Sequence, residues 1–141
     1  MMTTATPEML EAAQAAFKHF THGLATGEWE AFLNMLSDDF TFWFPVGTFK
    51  GKNVGKQKAA EFFHFVTDKV FLGGLVLTLE RVTSSETTVM FEGRSEGKMF
   101  GLPYQNQVAI SFDLRPSAQP APHPYQVCAY REYLSIHYQL Q

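Results

Sequence analysis

Glu132 and Asn106 are the two polar side chains that simple alternation places on otherwise apolar faces. Around the first, Cys128, Tyr130, Glu132, Leu134 and Ile136 fall on one side of a strand, opposite Arg131, Tyr133, Ser135 and His137. Around the second, Tyr104, Asn106, Val108, Ile110, Phe112 and Leu114 share a face, opposite Gln105, Gln107, Ser111 and Asp113. A carboxylate among such neighbours is poorly solvated, so its pKa should rise above the usual value of about 4.3. Raised carboxylates are what general acid–base catalysis uses. Glu132 therefore reads as a proton carrier, with Tyr104 and Asn106 placed to orient it. The competing reading is structural, with Glu132 holding a backbone amide or an arginine under the sheet and Asn106 pinning a strand.

Other reactive residues carry weaker patterns. Arg94-Ser95-Glu96 and Arg131-Glu132-Tyr133 could pair two acids and an arginine around a water molecule. Alternation turns Val89, Phe91 and Ser95 inward, however, and leaves Arg94 and Glu96 outside unless a bulge at Gly93 reverses them. Gly51-Lys52-Asn53-Val54-Gly55-Lys56 is one residue short of a phosphate loop, and Gln57 stands where a hydroxyl is required. The five histidines show no ligand spacing, so no metal and no cofactor are expected. Cys128 reads as a small core residue rather than a nucleophile.

The elements that must position Glu132 can be read from periodicity. Thr6-Pro7-Glu8 opens a helix with a hydroxyl cap, a proline at the first helical position and an acid near the positive end of the dipole. Leu10, Ala13, Phe17, Phe20 and Leu24 give it one buried stripe, and Gly27 ends it. Trp29, Phe32, Leu33 and Leu36 form a short second helix ending at Ser37-Asp38-Asp39. The segment Phe40-Thr41-Phe42-Trp43-Phe44 then puts four aromatic side chains into five residues before Pro45 and Gly47 stop the strand. A third helix starts at Asn53 and turns Phe62, Phe63 and Val66 inward. Beyond Gly73-Gly74 the period becomes two, predicting strands at Leu75–Thr83, Thr87–Glu96, Tyr104–Leu114 and Tyr125–Tyr138. The prolines between Arg115 and Pro124 predict an exposed loop. Helices followed by consecutive antiparallel strands give an α+β fold, a single domain over residues 1–141.

Composition narrows the partners. Fourteen phenylalanines point to a core wrapped around a roomy apolar space. A formal charge of -3 argues against nucleic acid, which requires a basic surface. No apolar run reaches membrane-spanning length, and Glu8 and Glu11 interrupt the only stretch that could resemble a signal peptide. A lone cysteine fits a reducing compartment. These features predict a cytoplasmic protein with no nucleic-acid or membrane partner.

The order of elements, with Asp38-Asp39 before a strand that runs into Pro45-Val46-Gly47, resembles the ketosteroid isomerase branch of the nuclear transport factor 2-like (cystatin-like) superfamily. Gly93 to Gly97 (GRSEG), Gly101 to Asn106 (GLPYQN) and Tyr130 to Tyr133 (YREY) resemble its SnoaL-like polyketide cyclases. The resemblance implies a cone: a curved antiparallel sheet wrapped around about three N-terminal helices, with a deep apolar pocket and frequent homodimers. The isomerase's own residues are replaced. The carboxylate before Pro-Val-Gly becomes Phe44, the oxyanion-donating tyrosine becomes Phe20, and the second acid becomes Val108. The histidine of many cyclases falls at Ser95, and the aspartate that follows their closing tyrosine motif is lost within Leu134-Ser135-Ile136-His137. Another relative, limonene epoxide hydrolase, is similar in its Arg-x-Asp and Arg-Asp-Tyr motifs, with glutamates here for both aspartates.

These readings converge on a pocket lined by Phe20, Phe40, Phe42, Phe44, Val108, Ile110 and Tyr130, with Tyr104, Asn106 and Glu132 as its polar groups. The expected ligand is a hydrophobic small molecule. One reading is an acid–base enzyme performing a cyclisation, isomerisation or hydration, without the steroid isomerase mechanism. The others are a non-catalytic ligand-binding or dimerisation module and an epoxide-hydrolase-like water-activating site. A homodimer would form through the sheet face carrying Val127, Arg131 and Tyr133.

Overall fold

The computed structural model describes residues 4–118 and 123–135. The expected continuation of the last strand to Tyr138, with Ile136 and His137 on it, lies outside the described residues, as do residues 119–122 of the proline-rich loop.

Helix α1 spans Pro7–Thr26, with Thr6 Oγ1 accepting from Met9 N–H and Gly27 closing the helix at φ 82°. Its buried stripe runs from Ala12 to Leu24 and includes Phe17 and Phe20. Gly23 is part of the design: a Cβ there would sit 2.4 Å from the Trp29 ring, so only glycine lets that indole lie flat on the helix. Helix α2 is a single turn, Glu30–Leu33, shorter than expected. The chain enters strand β1, Leu36–Phe44, at once, so Ser37-Asp38-Asp39 begin a strand instead of ending a helix. Buried Met35 and Leu36 take over the packing that a longer helix would have supplied.

The Gly51-Lys52 turn is also more structured than its sequence suggests. Gly51–Val54 forms strand β2, which folds back on β1 with Phe42 opposite Asn53 and Phe44 opposite Gly51. Asn53 is a strand residue whose side-chain amide donates to the carbonyls of Phe49 and Gly51, and helix α3 starts later, spanning Lys56–Phe65. Capping chemistry and turn-bracing chemistry are the same for asparagine, so its position before a helix reads equally as either. A π-helical turn, Val66–Val70, extends α3. It is pinned by Trp29, whose indole N–H donates to Thr67 Oγ1 at 3.1 Å.

Strands β3 (Leu75–Ser85), β4 (Thr88–Met99), β5 (Leu102–Pro116) and β6 (Tyr125–Leu134) complete a six-stranded sheet in the order β2-β1-β6-β5-β4-β3. The sheet is mixed, not antiparallel throughout, because β1 runs parallel to β6, with Thr41 beside Ala129 and Trp43 beside Arg131. It curves around the helices, giving the α+β cone that the sequence resemblance implies. No helix of the described residues is long and apolar enough to cross a membrane.

Bulges on β3 and β6 set the directions of side chains near the site. On β3 the pairing steps from Leu79–Gly93 to Arg81–Glu92, so the extra residue is Glu80. A Cβ at Gly93 would come within 2.3 Å of the Thr78 carbonyl, so glycine admits this bulge without itself being bulged. On β6 the pairing steps from Asp113–Ala129 to Leu114–Val127, leaving Cys128 unpaired. The parity of the strand reverses there. Val127, expected outside, is fully buried, while Cys128, expected in the core, is half-buried with its thiol donating to the Asp113 carbonyl at 3.3 Å.

Candidate functional site

A cavity of about 380 Å³ lies between the concave sheet face, α1, α3 and the π-helical turn. Its wall follows from the elements that meet there. From the sheet come Phe44, Leu77, Ser95, Tyr104, Val108, Ile110, Tyr130, Glu132 and Leu134. The helices add Phe20, Phe62, Phe63, Phe65, Val66 and Val70, and the β1–β2 and β4–β5 turns add Val46, Phe49 and Phe100 at the rim. No lysine, arginine or histidine lines it among the described residues.

Most of the anticipated residues meet here, but three do not. Phe20, Phe44, Val108, Ile110, Tyr130, Tyr104 and Glu132 all line the cavity. Phe40 and Phe42 do point inward, yet they are fully buried core residues that do not reach it. Phe62 of α3 packs on Phe42 at 4.8 Å and forms the wall in its place. Asn106 is also outside the cavity. It sits behind Tyr104, donating to the phenol oxygen at 2.9 Å and accepting from the Ser135 hydroxyl, so it steadies Tyr104 rather than meeting a ligand. Missed altogether were Phe49, Phe71 and Phe100, which lie in irregular turns that carry no periodicity to read, and Phe65, which ends α3 off the Phe62–Val66 stripe.

Among the described residues Glu132 is the only carboxylate on this wall. Its neighbour on β5 is Ile110, and its one hydrogen-bond partner among the described residues is Tyr130, whose hydroxyl donates to Glu132 Oε1. The surface it retains belongs to the cavity wall it forms. Burial removes water from its charged form and raises its pKa from 4.5 to about 7; the hydrogen bond from Tyr130 acts the other way and is outweighed. The Tyr130 phenol, itself fully buried, is pushed well above its usual range by burial and then by the Glu132 charge. Burial also raises Tyr104, against the lowering effect of its bond from Asn106, with the Glu132 charge adding to the rise. The floor of the cavity is thus an acid that can hold or release a proton near neutrality, between two phenols that remain protonated.

The paired-acid arrangement does not assemble. Arg94 lies exposed on the far face, 3.7 Å from Glu80, and Glu96 accepts from Gln105 beside it. Arg131 also faces away, bound to Asp113 at 3.1 Å. The bulge that could have turned Arg94 inward falls on Glu80 of the neighbouring strand, leaving β4 in plain alternation. Water activation by two acids bridged by an arginine therefore has no support in the geometry.

Comparison with known proteins agrees with this architecture. The SnoaL-like domain family matches residues 17–128, a stretch that ends short of Tyr130 and Glu132. No curated protein matches the chain. Among solved structures, a nuclear transport factor 2-like protein from Anabaena variabilis superposes with a TM-score of 0.84 at 50% identity, covering 97% of this chain and 96% of that one. TerC, co-crystallised with polyporic acid, gives 0.70 at 17% identity, covering 91% and 92%. An LEH-like epoxide hydrolase from M. tuberculosis gives 0.64 at 17% identity, covering 92% and 84%. The last two share the fold.

Proposed function

The chain belongs to the SnoaL-like domain family of the nuclear transport factor 2-like superfamily, and on that premise we propose that it binds a hydrophobic small molecule in its aromatic cavity and moves a proton to or from it through Glu132. The observation that carries the reading is the placement of one carboxyl, poised near neutrality and without an ion pair among the described residues, on the wall of a mainly apolar cavity. A cyclisation, isomerisation or hydration needs a group that takes a proton at one position and returns it at another. Tyr130 holds the carboxyl in orientation, and Tyr104 supplies a second hydroxyl at the same end of the cavity.

Cavity binding is tested with Nile red, an uncharged dye that fluoresces in apolar surroundings. Saturable enhancement at one dye per chain is expected. Leu77→Trp, which fills the cavity from the edge strand β3, should weaken it at least tenfold while far-ultraviolet circular dichroism stays unchanged. Equal binding by the folded variant would place the dye elsewhere and remove the cavity from the proposal.

The proposal extends to a homodimer in a cytoplasmic setting. With Val127 buried, the outer sheet face rests on Tyr133, which is 44% exposed, and on Trp43, whose ring is tilted against it at 5.5 Å. Two adjacent aromatic rings on an open sheet face are better covered than solvated. Light scattering should give twice the 16.0 kDa of one chain, and Tyr133→Lys should shift the protein toward monomer. A parent protein that is monomeric at tens of micromolar would exclude the dimer.

A further inference from the structure

We propose that the cavity is built for a ligand whose polar end is an ammonium group: a hydrophobic amine, with an aromatic or polycyclic body filling the cavity and its cation paired to Glu132. This rests on the cavity being the ligand site and specifies what enters it.

The argument begins with charge. The wall contains one group able to ionise near neutrality and no cationic side chain among the described residues. The groups facing Glu132 from each packed element can be named. Its own strand β6 offers Tyr130, and β5 offers Tyr104; both are neutral phenols. Strand β4 offers Ser95, and the parts of α1, α3, β1, β3 and the π-helical turn that line the cavity present apolar side chains. Arg131, the next residue along, faces the opposite side of the sheet and is already paired with Asp113. Among the described residues a carboxylate in this position therefore has no countercharge, and an ion buried without one is costly. A ligand cation removes that cost.

The rest of the wall suits the same ligand. Ten of the lining residues are phenylalanine or tyrosine. Aromatic faces attract ammonium groups, more strongly when water is excluded, and the same rings accept an apolar body. Phe63 and Phe20 stand 5.6 and 5.8 Å from the Tyr130 ring, next to the carboxyl, where an alkylated nitrogen would rest. An anionic ligand meets the reverse conditions, since it would find a carboxyl and no cation. The proton balance is simple: Glu132 gives its proton to solvent or to the free amine, and the bound state is a carboxylate–ammonium pair. Ligands of this kind should bind more tightly as pH rises through the range in which Glu132 ionises, with a slope of up to about tenfold per pH unit.

Three probes of one shape test this by calorimetry: 2-naphthylmethylamine, 2-naphthalenemethanol and 2-naphthoate. At pH 8 the amine should bind at least tenfold more tightly than the alcohol, and the naphthoate most weakly. The amine's advantage should shrink as pH is lowered through 7, where the alcohol's affinity should change little. In Glu132→Gln the amine-to-alcohol ratio should fall to about one, and binding of the alcohol shows that the variant is folded. If amine and alcohol bind equally to the parent at pH 8, or if the preference survives in Glu132→Gln, the ammonium assignment is wrong while the cavity remains a hydrophobic ligand site. If none of the three probes binds, both the assignment and the ligand-site reading fall.

Discussion

Glu132→Gln is expected to make the protein about 2–3 kcal/mol more resistant to unfolding than the parent at pH 8, and no different at about pH 4. The sign follows from the direction of the pKa change. Folding raises this carboxyl from 4.5 to about 7, so between those values the folded protein holds a proton that the unfolded chain releases. Stability must then fall as pH rises from about 4.5 to about 7 and level off above it. At roughly 1.4 kcal/mol per pH unit the full change is about 3 kcal/mol, reduced somewhat by the access Glu132 keeps to the cavity. Glutamine keeps the shape and an acceptor for the Tyr130 hydroxyl, and it never ionises. The measurement is urea denaturation of both proteins across this range, taking the difference so that His19 and Asp39, which also shift, cancel. A difference independent of pH would show that Glu132 ionises freely. A carbon-13 titration of its carboxyl, with a midpoint near 7 expected, reports the same group directly.

Trp29→Ala should cost about 3–5 kcal/mol, enough to lower the melting temperature by roughly 10–15 °C. The indole is 1% exposed and lies on Gly23, with Phe63 at 4.9 Å, Phe20 at 5.8 Å and Phe32 at 6.0 Å. Truncation opens a large void and leaves Thr67 without its indole donor, which loosens the π-helical turn carrying Val66 and Val70 on the cavity wall. Nile red binding should therefore weaken along with stability. Trp29→Phe separates the two contributions, because it keeps most of the packing and removes only the hydrogen bond, at about 1–3 kcal/mol. A loss below 1 kcal/mol for the alanine variant would mean that the ring is not part of the packed core.

The sequence exposes this site unevenly, for identifiable reasons. Glu132 stands out because its stretch of β6, from Tyr130 onward, alternates without interruption. Two residues earlier, Cys128 adds one position to the strand, and period-two reading assigns Val127 and Cys128 to the wrong faces. The fold class, α1 and the four long strands follow from helical and strand periods that run for many turns. The parallel pairing of β1 with β6 does not, because nothing local in Phe40 to Phe44 records the direction of a neighbour that arrives much later. Phe40 and Phe42 look like pocket residues for the same reason that they are core residues: inward-facing aromatics read identically whether a helix or a void lies beyond them. What separates them is Phe62, supplied by α3.

The placement of β1 also has a consequence for synthesis. Thr41 has Ala129 as its neighbour in the sheet, roughly ninety residues further along the chain. At about 5–20 residues per second, the ribosome takes several seconds to make that neighbour after β1 has emerged. Strand β2 covers one edge of β1 soon after it is made, but the other stays bare throughout. During this interval the nascent chain presents Phe-Thr-Phe-Trp-Phe, uncharged and rich in aromatics, along an open strand edge, the type of segment that pairs with copies of itself. A message truncated before Tyr125 would make this exposure permanent. Strand β1, enclosed on both sides in the mature sheet, is thus a segment of the newborn chain that would depend on chaperones, and crowding among polysomes, more than thermal stability, would set the yield of soluble protein.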